Sequence, residues 1–297
     1  MFPRMTWLAH FDCYLYLLPV AILIGGFVYY PILRTLWLSF GENRGLRMDS
    51  SWVGAANYEY LLNDDQFRQI LMQTVWWTVG VVVGATLIAL YLALLLNQRF
   101  YGRKLIRSII LIPWATSLVI TSIAYKHILN PDYGYFNDTL YRLHIINDRM
   151  SALANPETAW PILIFIGIMV SVPFATIALL AGLQSVPKNL LEAAELDGAN
   201  SVRQFLHVTL PHIRPVLVLV SLIEFIGVFN SFPIIWTLTK GGPVISTHII
   251  VTFLYIRAFR FIDFGIASAM AMITFGLMLV TTMIYIRIVY RHMGAVR

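Results

Sequence analysis

The sequence predicts an all-α membrane protein with six transmembrane helices. Apolar residues make up 59% of its 297 positions and charged residues only 12%, against about 25% charge in an ordinary soluble domain. Five stretches, 13–33, 69–98, 108–125, 158–187 and 264–286, contain no Asp, Glu, Lys or Arg. Each reaches the roughly 18–20 residues that a helix needs to cross the hydrocarbon core. A sixth, 215–239, is interrupted by a single acid, Glu224. With flanking residues added, the spans are placed at about 13–38, 70–97, 106–128, 158–183, 214–239 and 263–288, in one domain covering 1–297.

The first span is longer than the usual 7–15-residue core of a signal peptide, contains Pro19 and Pro31, and precedes no A-x-A-like cleavage site. It is read as a retained helix. The lone Cys13 excludes an internal disulfide and a cysteine metal cluster. The link at 41–68 mixes polar and aromatic residues, with Glu42, Asp49, Glu59, Asp64 and Asp65 against Arg44, Arg47 and Arg68. A short helix lying on the membrane surface suits it. Asp64 and Asp65 are sequence neighbours, which point apart on a helix and so form a solvated face, not a catalytic pair.

After the second span, Arg99, Arg103, Lys104 and Arg107 crowd one short link, and Arg287, Arg291 and Arg297 close the chain. The positive-inside rule therefore places the 98–107 link, the 184–213 link and both termini in the cytoplasm. Lys240, Arg257 and Arg260 fall on the other side and do not obey it. This distribution, and not the net charge of +6, argues against nucleic acid as a partner and for membrane lipid. Thr116, Ser117 and Thr121 in the third span and Ser171 and Thr176 in the fourth are candidate cavity hydroxyls, although hydroxyls in spans commonly bond to neighbouring backbone. Trp76, Trp77 and Trp114 offer ring-stacking surface or interfacial anchors. Between these spans, Asn130-Pro131-Asp132-Tyr133-Gly134 signals a turn.

The link at 184–213 carries the most information. Pro187 suits a helix start, 190–196 are good helix formers, and Asp197-Gly198 interrupts the run with a residue free to take positive φ. Val202, Phe205, Leu206 and Thr209 then recur at helical spacing until Pro211, which is expected to end the second piece. Glu192, Glu195 and Asp197 balance Lys188 and Arg203. A bracket lying on headgroups would instead carry a basic face, so the pattern points to docking of a soluble partner. No G-x-x-x-x-G-K-[ST] segment is present to bind ATP, no H-E-x-x-H or other metal spacing involves the seven histidines, and no nucleophile–base arrangement stands out. Energy for any transport must come from elsewhere.

Glu224 is the one acid inside a span, an expensive placement of roughly 2.5–3.5 kcal/mol on insertion scales that marks a functional candidate. Val228 and Ser231 lie at helical spacing from it, beside Asn230. A carboxylate and an amide accept hydrogen bonds from hydroxyl-rich solutes. The alternative role is a tether between helices, to Arg34 or to a partner subunit. Phe232-Pro233 is placed to loosen the fifth span.

E-A-A-x-x-D-G-A at 192–199, followed about ten residues later by Leu210-Pro211, resembles the EAA loop of importer-type ABC transporter permeases. Trp52-Val53-Gly54-Ala55-Ala56-Asn57-Tyr58, the run Asn130–Asn137, and Leu238-Thr239-Lys240-Gly241-Gly242-Pro243 with Ser246-Thr247 are similar to signatures of carbohydrate-uptake permeases related to the maltose and glycerol-phosphate importers. The chain resembles the first of two unlike permease subunits, and Asp197-Gly198-Ala199 favours the sugar branch.

The resemblance implies a type I ABC importer architecture in a bacterial inner membrane. Its partners would be a second homologous permease in a heterodimer, two cytoplasmic ABC ATPases that bind ATP and Mg, and an extracytoplasmic solute-binding protein. This chain would bind no cofactor or metal and catalyse nothing. Glu192, Ala193, Ala194, Asp197, Gly198, Ala199, Leu210 and Pro211 would couple it to the ATPases. Glu224, Val228, Asn230, Ser231, Thr116, Ser117, Thr121 and Ser171 are the candidate solute path. Other classes to weigh are a permease for glycerol phosphate or polyamine, a membrane-embedded enzyme, and a self-sufficient secondary transporter.

Overall fold

A computed structural model describes residues 7–43, 45, 51–146 and 150–293, with side chains from residue 16 to residue 288. The expectations resting on the side chains of Cys13, Arg44, Arg47, Asp49, Arg291 and Arg297 lie outside the described residues.

Helix α1 (Trp7–Ile24) runs through a π-helical turn, Gly25–Tyr29, into α2 (Tyr30–Ser39). The wide turn closes with the Tyr30 N–H on the Gly25 carbonyl, one residue before Pro31. A proline ring would collide with the carbonyl four residues back in a regular α-turn, and the extra residue of a π-turn relieves that crowding. Strands β1 (Gly41–Glu42) and β2 (Ser51–Trp52) pair antiparallel. The expected helix of the 41–68 link follows as α3 (Ala56–Asn63), ahead of the long α4 (Asp65–Asn97).

The third predicted span is not one rod. It is α5 (Arg103–Ala115) and α6 (Leu118–Ile128), bent by 91°. Pro113 weakens the last turn of α5, and Thr116 and Ser117 are extended, with ψ of 152° and 135°. The Thr116 hydroxyl donates to the Pro113 carbonyl at 2.7 Å and lies 2.8 Å from the Thr121 hydroxyl. Both threonines thus fasten the corner.

Helices α7 (Tyr135–Arg142) and α8 (Pro156–Gln184) follow, then the bracket helices α9 (Lys188–Leu196) and α10 (Ser201–Gln204). Pro211 does not end the second bracket piece. A π-turn at Phe205–Thr209, closed by the Leu210 N–H on the Phe205 carbonyl, again absorbs a proline one residue later. The helix runs on as α11 (Leu210–Phe229), giving one apolar helix from Ser201 to Phe229. It breaks at Asn230–Ser231 before α12 (Phe232–Leu238), whose first turn accommodates Pro233. A short apolar helix that the sequence pattern did not announce, α13 (Ile250–Phe259), precedes α14 (Phe264–Met293).

Among the described residues, five helices are long and apolar enough to span a membrane, or six if the bent α5–α6 pair is one crossing.

The chain packs as two compact units. The first combines Met1–Asp64 with Leu254–Gly276. In it the Trp52–Tyr58 signature fastens the end of α2: the Asn57 amide donates to the Ser39 and Gly41 carbonyls at 2.9 and 3.0 Å, and the Tyr58 and Ser39 hydroxyls lie 2.6 Å apart. Arg257 lies 3.8 Å from Asp64 and stacks over Phe261.

The second unit combines Asp65–Phe253 with Leu277–Arg297. Here α4 packs along α8, and α11 lies against both. Small residues permit the close approach expected between membrane helices. Ala85, Ala89 and Ala93 are fully buried, and a Cβ at Gly167 would come within 2.7 Å of Val81 and 2.8 Å of the Trp77 ring.

Candidate functional site

The two broken helices meet the α4–α8 pair around a cavity of about 250 Å³. Its wall includes Thr116 and Leu118 from the α5–α6 corner, Ser171 and Phe174 from α8, and Glu224, Gly227 and Val228 from α11. Ser231, at the second break, closes one side. Helix breaks in membrane proteins are tolerated where the irregular backbone is covered by protein or lines a cavity, and both of these do.

Trp77 backs one side of the wall. It is fully buried, and its indole N–H donates to the Val228 carbonyl at 2.9 Å, holding a ring on α4 against the end of α11. Its sequence neighbour Trp76 points away and is 69% exposed. Trp114 stacks on Phe174 with centroids 5.9 Å apart and planes 20° apart, giving the lining an aromatic surface.

Glu224 is only 6% exposed. Thr86 donates to its Oε2 at 3.3 Å, while Oε1 is buried with no hydrogen-bond partner among the described residues. No ion pair to Arg34 or any other cation forms there among those residues. The Ser171 and Ser231 hydroxyls also make no bond among them. Glu224, Ser171 and Ser231 therefore line one small space with hydrogen-bonding capacity left over among the described residues. In an apolar surrounding such groups are costly unless something else satisfies them.

Of the eight candidate solute-path residues, Thr116, Ser171, Glu224, Val228 and Ser231 line this cavity together. Ser117 stands beside it at the corner, and Thr121 reaches it only through Thr116. The Asn230 amide is turned elsewhere, donating to the Ile226 carbonyl and the Met278 sulfur. Thr176 is buried and bonds to the Val172 carbonyl. Of the three tryptophans offered as stacking surface or anchors, Trp77 and Trp114 line the cavity; the sequence carries no signal separating Trp77 from Trp76, and none for Phe174, Gly227 or Ile234.

The bracket lies in the same unit. Helix α9 ends in a Schellman motif: the Ala199 N–H reaches the Ala194 carbonyl and the Gly198 N–H the Glu195 carbonyl, both at 3.0 Å. Gly198 takes φ +78°. Asn200 then caps the next helix through the Arg203 N–H at 2.9 Å, and the Gln204 side chain holds the Ala199 carbonyl.

The inner side is anchored by Val186, Leu191, Leu210 and Ile213 in a cluster with Ala93, Leu96 and Leu183. The outer side is open. Glu192, Ala193, Glu195, Asp197 and Gly198 are exposed, Ala194, Ala199 and Leu210 half-buried, and Pro211 exposed. Leu196 is 89% exposed and Val202 64%. The apolar stripe is thus divided: Phe205 and Thr209 turn partly inward, while Val202 and Leu206 face out.

Outside these two places the remaining signatures build turns. Asn130 accepts the Asp132 N–H, and Asn137 donates to the Asn130 carbonyl. In the 238–247 run, the Thr247 hydroxyl donates to the Gly242 carbonyl at 2.7 Å, and Trp160 donates to the Ser246 carbonyl at 3.0 Å. His248, just beyond, is 3% exposed, with its Nδ1 2.9 Å from the Thr252 hydroxyl and its ring against Gly241. Among the described residues no three His, Cys, Asp or Glu side chains are grouped to hold a metal.

The fold is that of an ABC importer permease. A bacterial ABC transporter involved in the import of the acidic polysaccharide alginate has a solved chain that superposes with a TM-score of 0.83, covering 95% of this chain and 96% of that one at 24% identity. A methionine ABC transporter chain matches more distantly, at 0.54 over 78% of this chain and 96% of that one, with 15% identity.

The sequence profile described as "Binding-protein-dependent transport system inner membrane component" matches residues 85–294, and the chain belongs to that family. Relatives include a probable ABC transporter permease protein of Brucella suis, 39% identical over 93% of this chain and 95% of the relative. A trehalose/maltose transport system permease of Thermococcus litoralis is 34% identical, covering 93% and 92%. A sulfoquinovosyl glycerol transport system permease of Agrobacterium fabrum is 32% identical, covering 93% and 89%. The chain is therefore a multi-pass, non-catalytic membrane subunit of an ABC importer.

Proposed function

We propose that this permease imports a sugar or sugar-like solute by alternating access, driven by cytoplasmic ATPases gripping the 184–213 bracket. The observation that carries the reading is the cavity between the helices. Its lining sets the Glu224 carboxyl and the Ser171 and Ser231 hydroxyls beside the stacked Trp114 and Phe174 rings, which is the chemistry that binds a hydroxylated ring. Kinship with a trehalose/maltose transport permease supports the same solute class. Mechanically, α11 is continuous with the bracket's second helix. A push on the bracket therefore moves the helix that carries Glu224, and rigid-body rocking would open the cavity to alternate sides.

In this reading Glu192, Ala193, Ala194, Asp197, Gly198, Ala199, Leu210 and Pro211 form the coupling joint. Two ATPases hold ATP and Mg, a second homologous permease completes the pathway, and a solute-binding protein delivers cargo from outside. The chain itself binds no cofactor. It sits in the inner membrane with both termini in the cytoplasm, which makes the basic 98–107 link cytoplasmic too.

The test is uptake in proteoliposomes holding the whole importer, with labelled trehalose and maltose as probes. Glu224→Gln is expected to lower both uptake and sugar-stimulated ATP hydrolysis at least about tenfold, the scale of losing one hydrogen bond to a charged group. Unchanged uptake and ATP hydrolysis in that variant would remove Glu224 from the solute path.

A further inference from the structure

The elbow between α4 and α5 gathers four cations, Arg99, Arg103, Lys104 and Arg107, in a stretch from 66 to 131 that contains no Asp or Glu. Two of them pin the elbow. The Arg107 guanidinium donates to the Leu96 carbonyl at 2.9 Å, and that of Arg103 reaches the Gln98 carbonyl at 3.5 Å, both at the end of α4. Carbonyls there lack intrahelical partners and carry partial negative charge, which accounts for both contacts. Arg99 and Lys104 have no such employment. Both are exposed, and neither forms an ion pair among the described residues.

The same elbow exposes an apolar stripe. Leu105, Ile109 and Ile112 share one face of α5 and are each more than half exposed. On the other side of the helix, Ile110 packs against the cluster that holds Ala93, Leu96 and Leu183. Lys104 and Ser108, one turn apart and joined by the Ser108 hydroxyl on the Lys104 carbonyl, border the stripe. Tyr101 is fully exposed two residues from Arg99. Aromatic and cationic side chains at the head of an apolar helix face are the composition of a membrane–water boundary.

Charge decides what covers this surface. A protein partner would strip water from exposed cations and have to match each with an acid. A phosphate headgroup at the bilayer surface supplies the negative charge while leaving the cations partly hydrated, and its acyl chain fills the stripe.

We propose that the α4–α5 elbow is a binding site for anionic phospholipid. Arg99 and Lys104 hold the phosphate, Tyr101 borders the headgroup, and Leu105, Ile109 and Ile112 carry an acyl chain. In the orientation proposed above that lipid belongs to the cytoplasmic leaflet, but binding itself does not depend on the orientation.

The chain's single cysteine, Cys13, permits a local test. In a Cys13→Ser background, Ile109→Cys is labelled with bimane in the complete importer, held in phosphatidylcholine nanodiscs. Brominated phosphatidylglycerol or brominated phosphatidylcholine then replaces part of the lipid, and quenching is read against mole fraction. The anionic lipid is expected to reach half-quenching at a mole fraction about tenfold or more lower, since each cation near an anionic headgroup contributes roughly fivefold in affinity. Arg99→Gln with Lys104→Gln should bring the two curves to within about twofold. Arg99→Lys with Lys104→Arg keeps both charges and should hold the preference.

Equal quenching by the two lipids would overturn the site, as would a preference that survives the glutamine pair or is lost in the charge-keeping pair. Quenching by neither lipid would overturn it too, because the stripe would then be covered by protein. Labelling of Tyr101→Cys by an impermeant maleimide from one side of sealed vesicles reads the leaflet separately, so a wrong orientation is not mistaken for an absent site.

Discussion

Gly198 shows how much a single backbone angle can reveal. Its φ of +78° closes the Schellman turn, and a Cβ there would meet nothing within 4 Å. A side chain at this position is therefore not crowded by its own subunit. It costs roughly 1–2 kcal/mol of left-handed strain and projects into the space a partner would fill. Gly198→Asp is expected to insert into the membrane in normal amount and to abolish transport. Full transport by that variant would argue against docking at this turn.

His248 carries a different prediction. Burial lowers its pKa from 6.5 to about 4. The unfolded chain takes up a proton there before the folded one does, so the contribution to stability is complete above about pH 6.5 and is lost as pH falls toward 4. In detergent, the Tm of the importer should fall more steeply over that window with His248 than with His248→Gln. Parallel curves would mean that the imidazole does not set the dependence.

Glu224 was legible from sequence because an acid inside a span is rare. Trp77 was legible only as one of a pair, since adjacent tryptophans give no clue to which one turns inward. Asn200 left a readable but easily overlooked sign, an Asn just ahead of a helical run.

At the level of elements, apolar runs coincide with the long apolar helices, because the length needed to cross a bilayer favours such runs. Proline was where pattern reading failed. Pro211 was expected to stop a helix, yet a π-turn ending at Thr209 carries the chain past it. The same device precedes Pro31. Pro113 does break its helix, because the extended Thr116 and Ser117 follow it and the Thr116 and Thr121 hydroxyls lock the corner. Helix α13 was missed because its ten residues fall short of a span and include Arg257.

Packing between α4 and α8 depends on Gly167 beneath Trp77. Gly167→Ala forces Val81 or the indole aside, at an overpacking cost of about 1–3 kcal/mol. It is expected to lower the Tm of the importer and to weaken sugar uptake together, since Trp77 is a wall of the cavity. An unchanged Tm would show that α4 and α8 separate freely at this point.

For the whole molecule, the pieces that matter are joined by covalent continuity. Bracket and cavity share one helix from Ser201 to Phe229, and the bracket's inner side is fixed by Leu191, Leu210 and Ile213. Its outer side leaves leucine and valine in water beside three acids, an arrangement that a protein partner would cover. The sequence indicated this surface through its polar content but assigned its stripe to one face. The division into an inner and an outer set follows from the wide turn at 205–209, which has no signature in the sequence.

Leu196, the most exposed apolar residue of the bracket, offers the most direct measurement. A photo-crosslinking amino acid placed there in living cells should capture the importer's ATPase subunit, with a yield that changes when ATP hydrolysis is blocked. Adducts formed only with lipid, or with the extracytoplasmic binding protein, would contradict the account.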